Sequence, residues 1–270
     1  MTCAAFFVEI TYMFETFCSL SPMQLSVLII AAMLIGINKT AIPGLGVLPV
    51  VMLTLVFETR MSTGVQLGML ALADIVAVAY YRKQADWKIL LRLLPWALTG
   101  IAVGSVILRF IPMDGSVMKR VIGGIVLALM VLSFIRKRIA PEKIPSGVGW
   151  SGFYGILLGS TTQLANAAGP VSSIYFLAMK LPKEKYLGCC AWFFLILNWI
   201  KLPIFAFEGR VTLESVKLDL CMLPFIIFGG FLGIVLLRKL PQKIFEIIIQ
   251  ALVVIASLRL LWGESTRKAT

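Results

Sequence analysis

Long apolar runs alternate with short polar segments along most of the chain, and this pattern predicts membrane-spanning helices. The uninterrupted runs lie at residues 61–81, 89–111, 117–135, 186–207, 218–237 and 244–262. At 1.5 Å per residue, about 20 helical residues cross the roughly 30 Å hydrocarbon core of a bilayer. The pattern therefore predicts six full spans.

Two further apolar runs are interrupted by polar and turn-forming residues. The first is broken between Gly36 and Gly46, and the second between Thr161 and Pro170, within a stretch at 144–179 that has no charged residue. Proline breaks the helical ladder, and irregular backbone at membrane depth is tolerated only where it is buried in protein or lines a cavity. We therefore expect each run to form two half-helices, each too short to span, with a ligand site at the break.

The two halves of the chain resemble each other, which indicates a duplication. Five residues of the first half recur in the second at one constant spacing: Pro95, Gly100, Gly104, Arg109 and Pro112 correspond to Pro224, Gly229, Gly233, Arg238 and Pro241. At a slightly shorter spacing, Asp74 corresponds to Asn198. The predicted organisation is an interfacial amino-terminal segment (1–22), repeat 1 (23–140), a linker (141–147), repeat 2 (148–265) and a tail (266–270).

The fold class predicted is an all-α polytopic membrane protein with two homologous repeats. If the broken segment that opens each repeat crosses the membrane, the repeats are parallel; if it is a re-entrant hairpin followed by three spans, they are inverted. Lysine and arginine are more unevenly distributed between the two sides in the hairpin arrangement, which favours inverted repeats with the amino terminus outside. Inverted repeats with broken helices near the midplane are typical of secondary transporters.

Two glycine pairs in corresponding helices predict close helix packing. They are Gly100 with Gly104, and Gly229 with Gly233, each four residues apart. Small residues at this spacing let helix backbones approach closely in membranes. We interpret them as packing faces rather than as ligand motifs.

Composition and charge exclude several classes of protein. Hydrophobic residues make up 60% of the chain and mean hydropathy is +0.96, values far above those of soluble domains. The net charge of +12 comes from short basic clusters between apolar runs, as expected of loops that flank membrane spans, so no nucleic-acid partner is predicted. The chain has no histidine and its five cysteines show no CxxC spacing, so we expect no metal site, no cofactor and no enzymatic activity.

Charged residues inside the apolar zone are the candidates for chemistry. Placing a charge at the centre of a lipid-exposed membrane helix costs about 2.5–3.5 kcal/mol on membrane-insertion scales. Lys39, Asp74 and Lys201 should therefore face a cavity or one another. Lys201 could instead extend to the interface, and Asp74 could be a permanent ion-pair partner of a lysine. Two buried lysines, with backbone N–H groups at half-helix termini, suit a small anion. The predicted substrate-binding residues are Asn38, Lys39, Thr40, Gly44, Gly46, Thr161, Thr162, Asn166, Gly169, Asn198 and Lys201, and Asp74 is the candidate for proton coupling.

Four stretches carry a resemblance to a known family. They are Asn-Lys-Thr-x-x-Pro-Gly-x-Gly at 38–46, Ala-Asn-Ala-Ala-Gly-Pro at 165–170, Ala-Asp-Ile-Val-Ala-Val at 73–78 and Asn-Trp-Ile-Lys-Leu-Pro at 198–203. The chain resembles the TauE/SafE permeases, also described as sulfite or sulfonate exporters. The resemblance implies a multi-pass carrier of the bacterial inner membrane whose partners are the lipid bilayer and a small anion such as sulfite, thiosulfate or a sulfonate.

The function predicted is therefore secondary transport, in the direction of export, by alternating access at a site between two broken helices. An anion channel and a membrane signalling scaffold are the alternatives. Saturable flux distinguishes a carrier from a channel, which would give large, non-saturating currents.

Overall fold

The computed structural model describes residues 20–40, 46–111, 116–138 and 148–239, together with Val254 and Leu258, and its regular structure is entirely helical. Nine helices lie in these ranges: α1 Pro22–Thr40, α2 Val47–Val56, α3 Thr59–Tyr81, α4 Trp87–Leu108, α5 Ser116–Arg138, α6 Val148–Ala165, α7 Gly169–Ala178, α8 Lys183–Phe207 and α9 Leu213–Lys239. The prediction of an all-α protein is confirmed for this part of the chain.

Five helices in the described ranges are long and apolar enough to cross a membrane, namely α1, α3, α4, α8 and α9. Large apolar side chains on their outer surfaces are about half exposed, including Ile30, Leu91, Val106 and Phe231. Contiguous apolar surface of this kind is unfavourable in water but matches lipid tails. The chain is a polytopic helical membrane protein.

The first interruption begins later than the sequence predicts. Helix α1 continues through Asn38, Lys39 and Thr40, so that these residues form its last turn. Its 19 residues extend about 28 Å, and the expectation that this segment is too short to span is wrong. Lysine is a good helix former and is favoured near a helix carboxyl end, where it interacts with the helix dipole. Gly44 and the neighbouring Pro43 lie outside the described residues.

The second interruption is shorter than predicted. Helix α6 continues to Ala165, so Thr161 and Thr162 are helical, and residues 166–168 alone separate it from α7. Asn166 ends the helix in the left-handed conformation, with φ at +50°. Asparagine is one of the few residues that adopt this conformation readily.

The remaining helices follow the predicted spans, with ends shifted by a few residues. Several predicted segments lie outside the described residues: the amino-terminal segment up to residue 19, the linker at 141–147, the span at 244–262 apart from Val254 and Leu258, and the tail at 266–270.

The most extensive helix contacts join α1 to α9 and α4 to α6, and glycines make both possible. A Cβ atom on Gly229 would overlap the carbonyl oxygen of Met33, and one on Gly100 would overlap that of Ile156. The prediction that these glycines form packing faces is confirmed. Each of the two pairs joins one helix of the first half to one of the second.

Buried apolar side chains form two large clusters and a small one. The first large cluster comes from α2 and α4 to α8, and the second from α1, α2, α3 and α9. Between α3 and α8 lies the small cluster of Ala77, Tyr81, Leu187 and Ala191. All three contribute to the walls of one internal cavity, which contains most of the predicted site residues.

Candidate functional site

A cavity of about 30 Å³ lies between α1, α3, α6 and α8. Its lining residues are Asn38, Lys39, Gly46, Leu70, Thr162, Asn166, Ala168, Gly169, Cys190, Ala191, Phe194 and Asn198. A buried water needs about 10–15 Å³ of such volume, so the cavity has room for about two waters. The site is therefore narrow in this conformation.

Lys39 at the end of α1 forms an ion pair across the cavity wall with Asp74 of α3. The Nζ and Oδ1 atoms are 2.5 Å apart, and the Asp74 side chain is fully buried. The other carboxylate oxygen accepts a hydrogen bond from Asn198 Nδ2 of α8 at 2.6 Å. The ammonium also lies 4.3 Å from the ring centroid of Phe194, in the geometry of a cation–π contact. The charge of Lys39 thus has both a carboxylate and an aromatic partner.

Lys201 of α8 is fully buried and is held by neutral oxygens. Its Nζ donates to the carbonyl oxygen of Thr162 at 2.8 Å, to the Thr162 hydroxyl at 3.0 Å and to Asn166 Oδ1 at 2.6 Å. Asn166 Nδ2 donates to the carbonyl oxygen of Thr63 at 2.9 Å, which fixes the orientation of the amide. Complete burial excludes the alternative that Lys201 extends to the interface.

The Nζ atom of Lys201 has no carboxylate within 4 Å among the described residues. Its three N–H donors meet three oxygen acceptors, which is the full donor capacity of a charged lysine. A buried charge without a direct counter-ion is costly, and an anion that binds beside it relieves that cost.

A second polar network lies on the far side of Lys201, and the sequence analysis missed it. Arg210, in the loop between α8 and α9, is buried and pairs with Glu208 at 2.6 Å. Its guanidinium also donates to the carbonyl oxygen of Gln163 at 3.3 Å and lies 3.2 Å from the ring centroid of Phe205, which Lys201 approaches to 4.9 Å. Burial lowers the pKa of Arg210 to about 10, with Glu208 opposing the shift, so the side chain stays charged at neutral pH.

Gln163 connects this network to a further helix. Its Nε2 donates to Glu208 Oε1 at 3.1 Å and to the Ser105 hydroxyl of α4 at 2.9 Å. In the sequence, Glu208 and Arg210 follow an apolar run as ordinary loop charges do. No spacing or composition signal distinguishes them, because their burial depends on how the loop folds against α6.

Most of the predicted site residues come together. Asn38, Lys39, Gly46, Thr162, Asn166, Gly169 and Asn198 line the cavity, and Asp74 and Lys201 contact lining residues from behind. The hydroxyls of Thr40 and Thr161 have other partners: Thr40 donates to the carbonyl oxygens of Gly36 and Gly230, and Thr161 to those of Leu157 and Leu158. Gly44 lies outside the described residues.

Five lining residues were not predicted: Leu70, Ala168, Cys190, Ala191 and Phe194. They are apolar or nearly so, and an apolar residue in a membrane helix gives no sequence signal that separates a cavity wall from a packing face.

A polar cavity with two buried lysines inside a bundle of apolar helices is the internal site of a polytopic membrane protein. The family described as Sulfite exporter TauE/SafE matches residues 28–260. The chain belongs to this family, which is a family of membrane transporters, and the resemblance predicted from four motifs is confirmed. Comparison with curated proteins and comparison with solved structures each gave no match.

Proposed function

We propose that this protein is a secondary transporter that exports small sulfur-containing or related organic anions across the bacterial inner membrane. Membership of the TauE/SafE family supports the substrate class. The observation that carries the proposal is Lys201, a fully buried lysine whose Nζ contacts neutral oxygens alone among the described residues. An anion in the adjacent cavity supplies the missing counter-charge.

The cavity wall offers hydrogen-bond donors that suit an oxyanion. Lys39, Asn38 and Asn198 present N–H groups and Thr162 a hydroxyl, all among the lining residues. Hydrogen bonds to charged oxygens are about twice as strong as neutral ones. Substrate therefore binds between Lys39 of α1 and the Thr162–Asn166 segment, and Asp74 balances charge or carries a proton as the anion enters and leaves.

We infer further that the two halves are repeats related by a pseudo-two-fold axis and that they alternate between two states; α1 is long enough to span, so contacts between the halves carry this inference and the predicted hairpin does not. Reciprocal contacts support this arrangement, since α1 of the first half packs on α9, and α6 of the second half packs on α4. Asp74 and Asn198, which occupy corresponding positions, hydrogen-bond to each other, as residues beside a pseudo-two-fold axis would. Exchange of conformation between such repeats opens the site to each side of the membrane in turn.

Flux into proteoliposomes tests the proposal. Labelled sulfite, thiosulfate and methanesulfonate are supplied to wild type, Lys201→Gln and Lys185→Gln, with and without a proton gradient. Lys185 lies on the same helix as Lys201 but is exposed, so it is the matched control. We expect saturable flux by wild type and Lys185→Gln and none by folded Lys201→Gln.

Undiminished flux by Lys201→Gln would remove the anchoring function of Lys201. Large, non-saturating currents would identify a channel instead. Dependence of flux on the proton gradient, lost in Asp74→Asn, would support proton coupling by Asp74.

A further inference from the structure

We propose that the site selects monovalent anions over divalent ones, because Asp74 cancels one of the two lysine charges beside the cavity. This inference rests on the proposed function and specifies the charge of its substrate. It depends on three buried side chains, Lys39, Asp74 and Lys201, and on the neutrality of the groups around them.

The hydrogen bonds around both lysines accommodate their charged forms. Lys39 contacts a carboxylate, which favours its ammonium form. Lys201 donates to three oxygens, and Asn166 Oδ1 has to be an acceptor because the amide nitrogen of Asn166 is committed to the Thr63 carbonyl. The Thr162 carbonyl and Asn166 Oδ1 can only accept, and the Thr162 hydroxyl accepts the third N–H when Lys201 is an ammonium, the form that an anion beside it stabilises.

The other cavity walls add no net charge. Among the described lining residues, Lys39 is the sole charged one, and Thr162, Asn166, Cys190 and Asn198 are uncharged polar groups. Arg210 and Glu208 beyond the Phe205 ring form their own ion pair. Two lysines and one aspartate therefore leave a single positive charge at the site.

A monovalent anion brings the buried cluster to neutrality, whereas a divalent anion leaves one uncompensated negative charge. Electrostatic energies rise steeply as the effective dielectric constant falls from that of water to that of a protein interior, so such an excess is strongly unfavourable. The carboxylate cannot turn away from the site, because Lys39 holds one of its oxygens and Asn198 the other. Its charge therefore acts on the anion whenever the carboxylate is ionised.

The test compares two anions of similar tetrahedral shape and fixed charge, methanesulfonate and sulfate, as competitors of labelled methanesulfonate flux in proteoliposomes. In wild type we expect methanesulfonate to compete at least about tenfold better than sulfate. Asp74→Asn raises the site to two positive charges, so the preference should shift toward sulfate by at least about tenfold. This comparison of ratios is independent of any loss of overall flux.

The double variant Lys39→Gln/Asp74→Asn is the matched control, because it removes the ion pair as a unit and leaves the net charge unchanged. Its flux falls with the loss of Lys39, but its preference for the monovalent anion should persist. If Asp74→Asn alone does not fold, loss of the preference for the monovalent anion in this double variant would still overturn charge selection.

Sulfate that competes as well as methanesulfonate in wild type, or an unchanged ratio in folded Asp74→Asn, would overturn charge selection. In that case flux of labelled thiosulfate or sulfate would leave the proposed transport function intact. Absence of flux for every sulfur anion would instead overturn the proposed function, and with it this inference.

Discussion

The two halves of the protein each bury one lysine at the site, but they stabilise it in different ways. In the first half, Lys39 lies at the end of α1 and pairs with Asp74 of α3. In the second half, Thr162 lies near the end of α6 and accepts hydrogen bonds from Lys201 of α8. The buried lysine thus lies on the opening helix in one half and on a long spanning helix in the other.

We propose that this difference separates a lysine that stabilises the fold from one whose charge is available to a ligand. The charge of Lys39 is already balanced by the Asp74 carboxylate, so the pair is close to electrically neutral. The Nζ atom of Lys201 has three hydrogen-bond partners, but no carboxylate among the described residues lies close enough to balance its charge. The two lysines lie at positions that do not correspond, and we propose that one serves structure and the other binding.

The largest expected effect comes from breaking the ion pair in the first half. Lys39→Gln leaves a buried carboxylate without its cation, which costs about 3–5 kcal/mol of stability. Lys201→Gln leaves neutral oxygens and should cost less, about 1–3 kcal/mol. Thermal unfolding in detergent, followed by tryptophan fluorescence, measures both. Lys39→Gln/Asp74→Asn should recover most of the first loss, and equal losses in the two single variants would contradict the comparison.

Moving the carboxylate from one half to the other tests the contact between them. Asn198→Asp places a second carboxylate against Asp74, which should cost about 2 kcal/mol or more through like-charge repulsion and burial. Asp74→Asn/Asn198→Asp restores a single carboxylate and should regain part of that stability. Unfolding temperatures of the two single variants and the double variant form a double-mutant cycle. Additive effects would show that the two positions do not interact.

Replacing a packed glycine with alanine should lower the stability of the protein by a similar amount in either half. Gly100→Ala and Gly229→Ala each introduce a methyl group against a facing backbone, which should cost about 1–3 kcal/mol. Gly124→Ala in α5 meets nothing within 4 Å and is the control, with an unchanged or raised unfolding temperature. A loss for one of the two packed glycines alone would argue against equivalent packing.

The smallest expected effect is the difference in stability between two substitutions of Asn166, the residue that follows α6. Asn166→Gly keeps the left-handed backbone favourable but removes the hydrogen bonds to Lys201 and Thr63. Asn166→Ala removes the same bonds and adds about 1 kcal/mol of backbone strain. Comparison of the two unfolding temperatures isolates that strain. Identical values would mean that the conformation at this position carries no cost for alanine.

Sequence reasoning found the spans and most of the site for one physical reason. Charged and amide side chains are unfavourable in lipid, so Lys39, Asp74, Asn198 and Lys201 had to face an interior space. The glycine pairs were identified in the same way, since their spacing has a direct meaning for helix packing.

The parts that were wrong or missed depend on local and tertiary choices that composition does not reveal. Polar residues near Pro43 suggested an early helix end, whereas Asn38 to Thr40 remain helical. The hydroxyls of Thr40 and Thr161 bond to carbonyl oxygens of their own helices, a common alternative for buried threonine. The proximity of Phe194 and Arg210 to the site follows only from the fold. The Phe194 ring contacts the Lys39 ammonium, and Arg210 donates to the carbonyl oxygen of Gln163.

The pairing of α1 with α9 also has a consequence for biosynthesis. The Thr40 hydroxyl bonds to the carbonyl of Gly230, 190 residues later in the chain. At roughly 5–20 residues per second, a ribosome needs about 10–40 s to make the intervening segment. During that time the side of α1 that packs against the glycines of α9 has no partner helix, and lipid or the insertion machinery has to shield it. The contact between α1 and α9 therefore forms only after Gly230 has been synthesised.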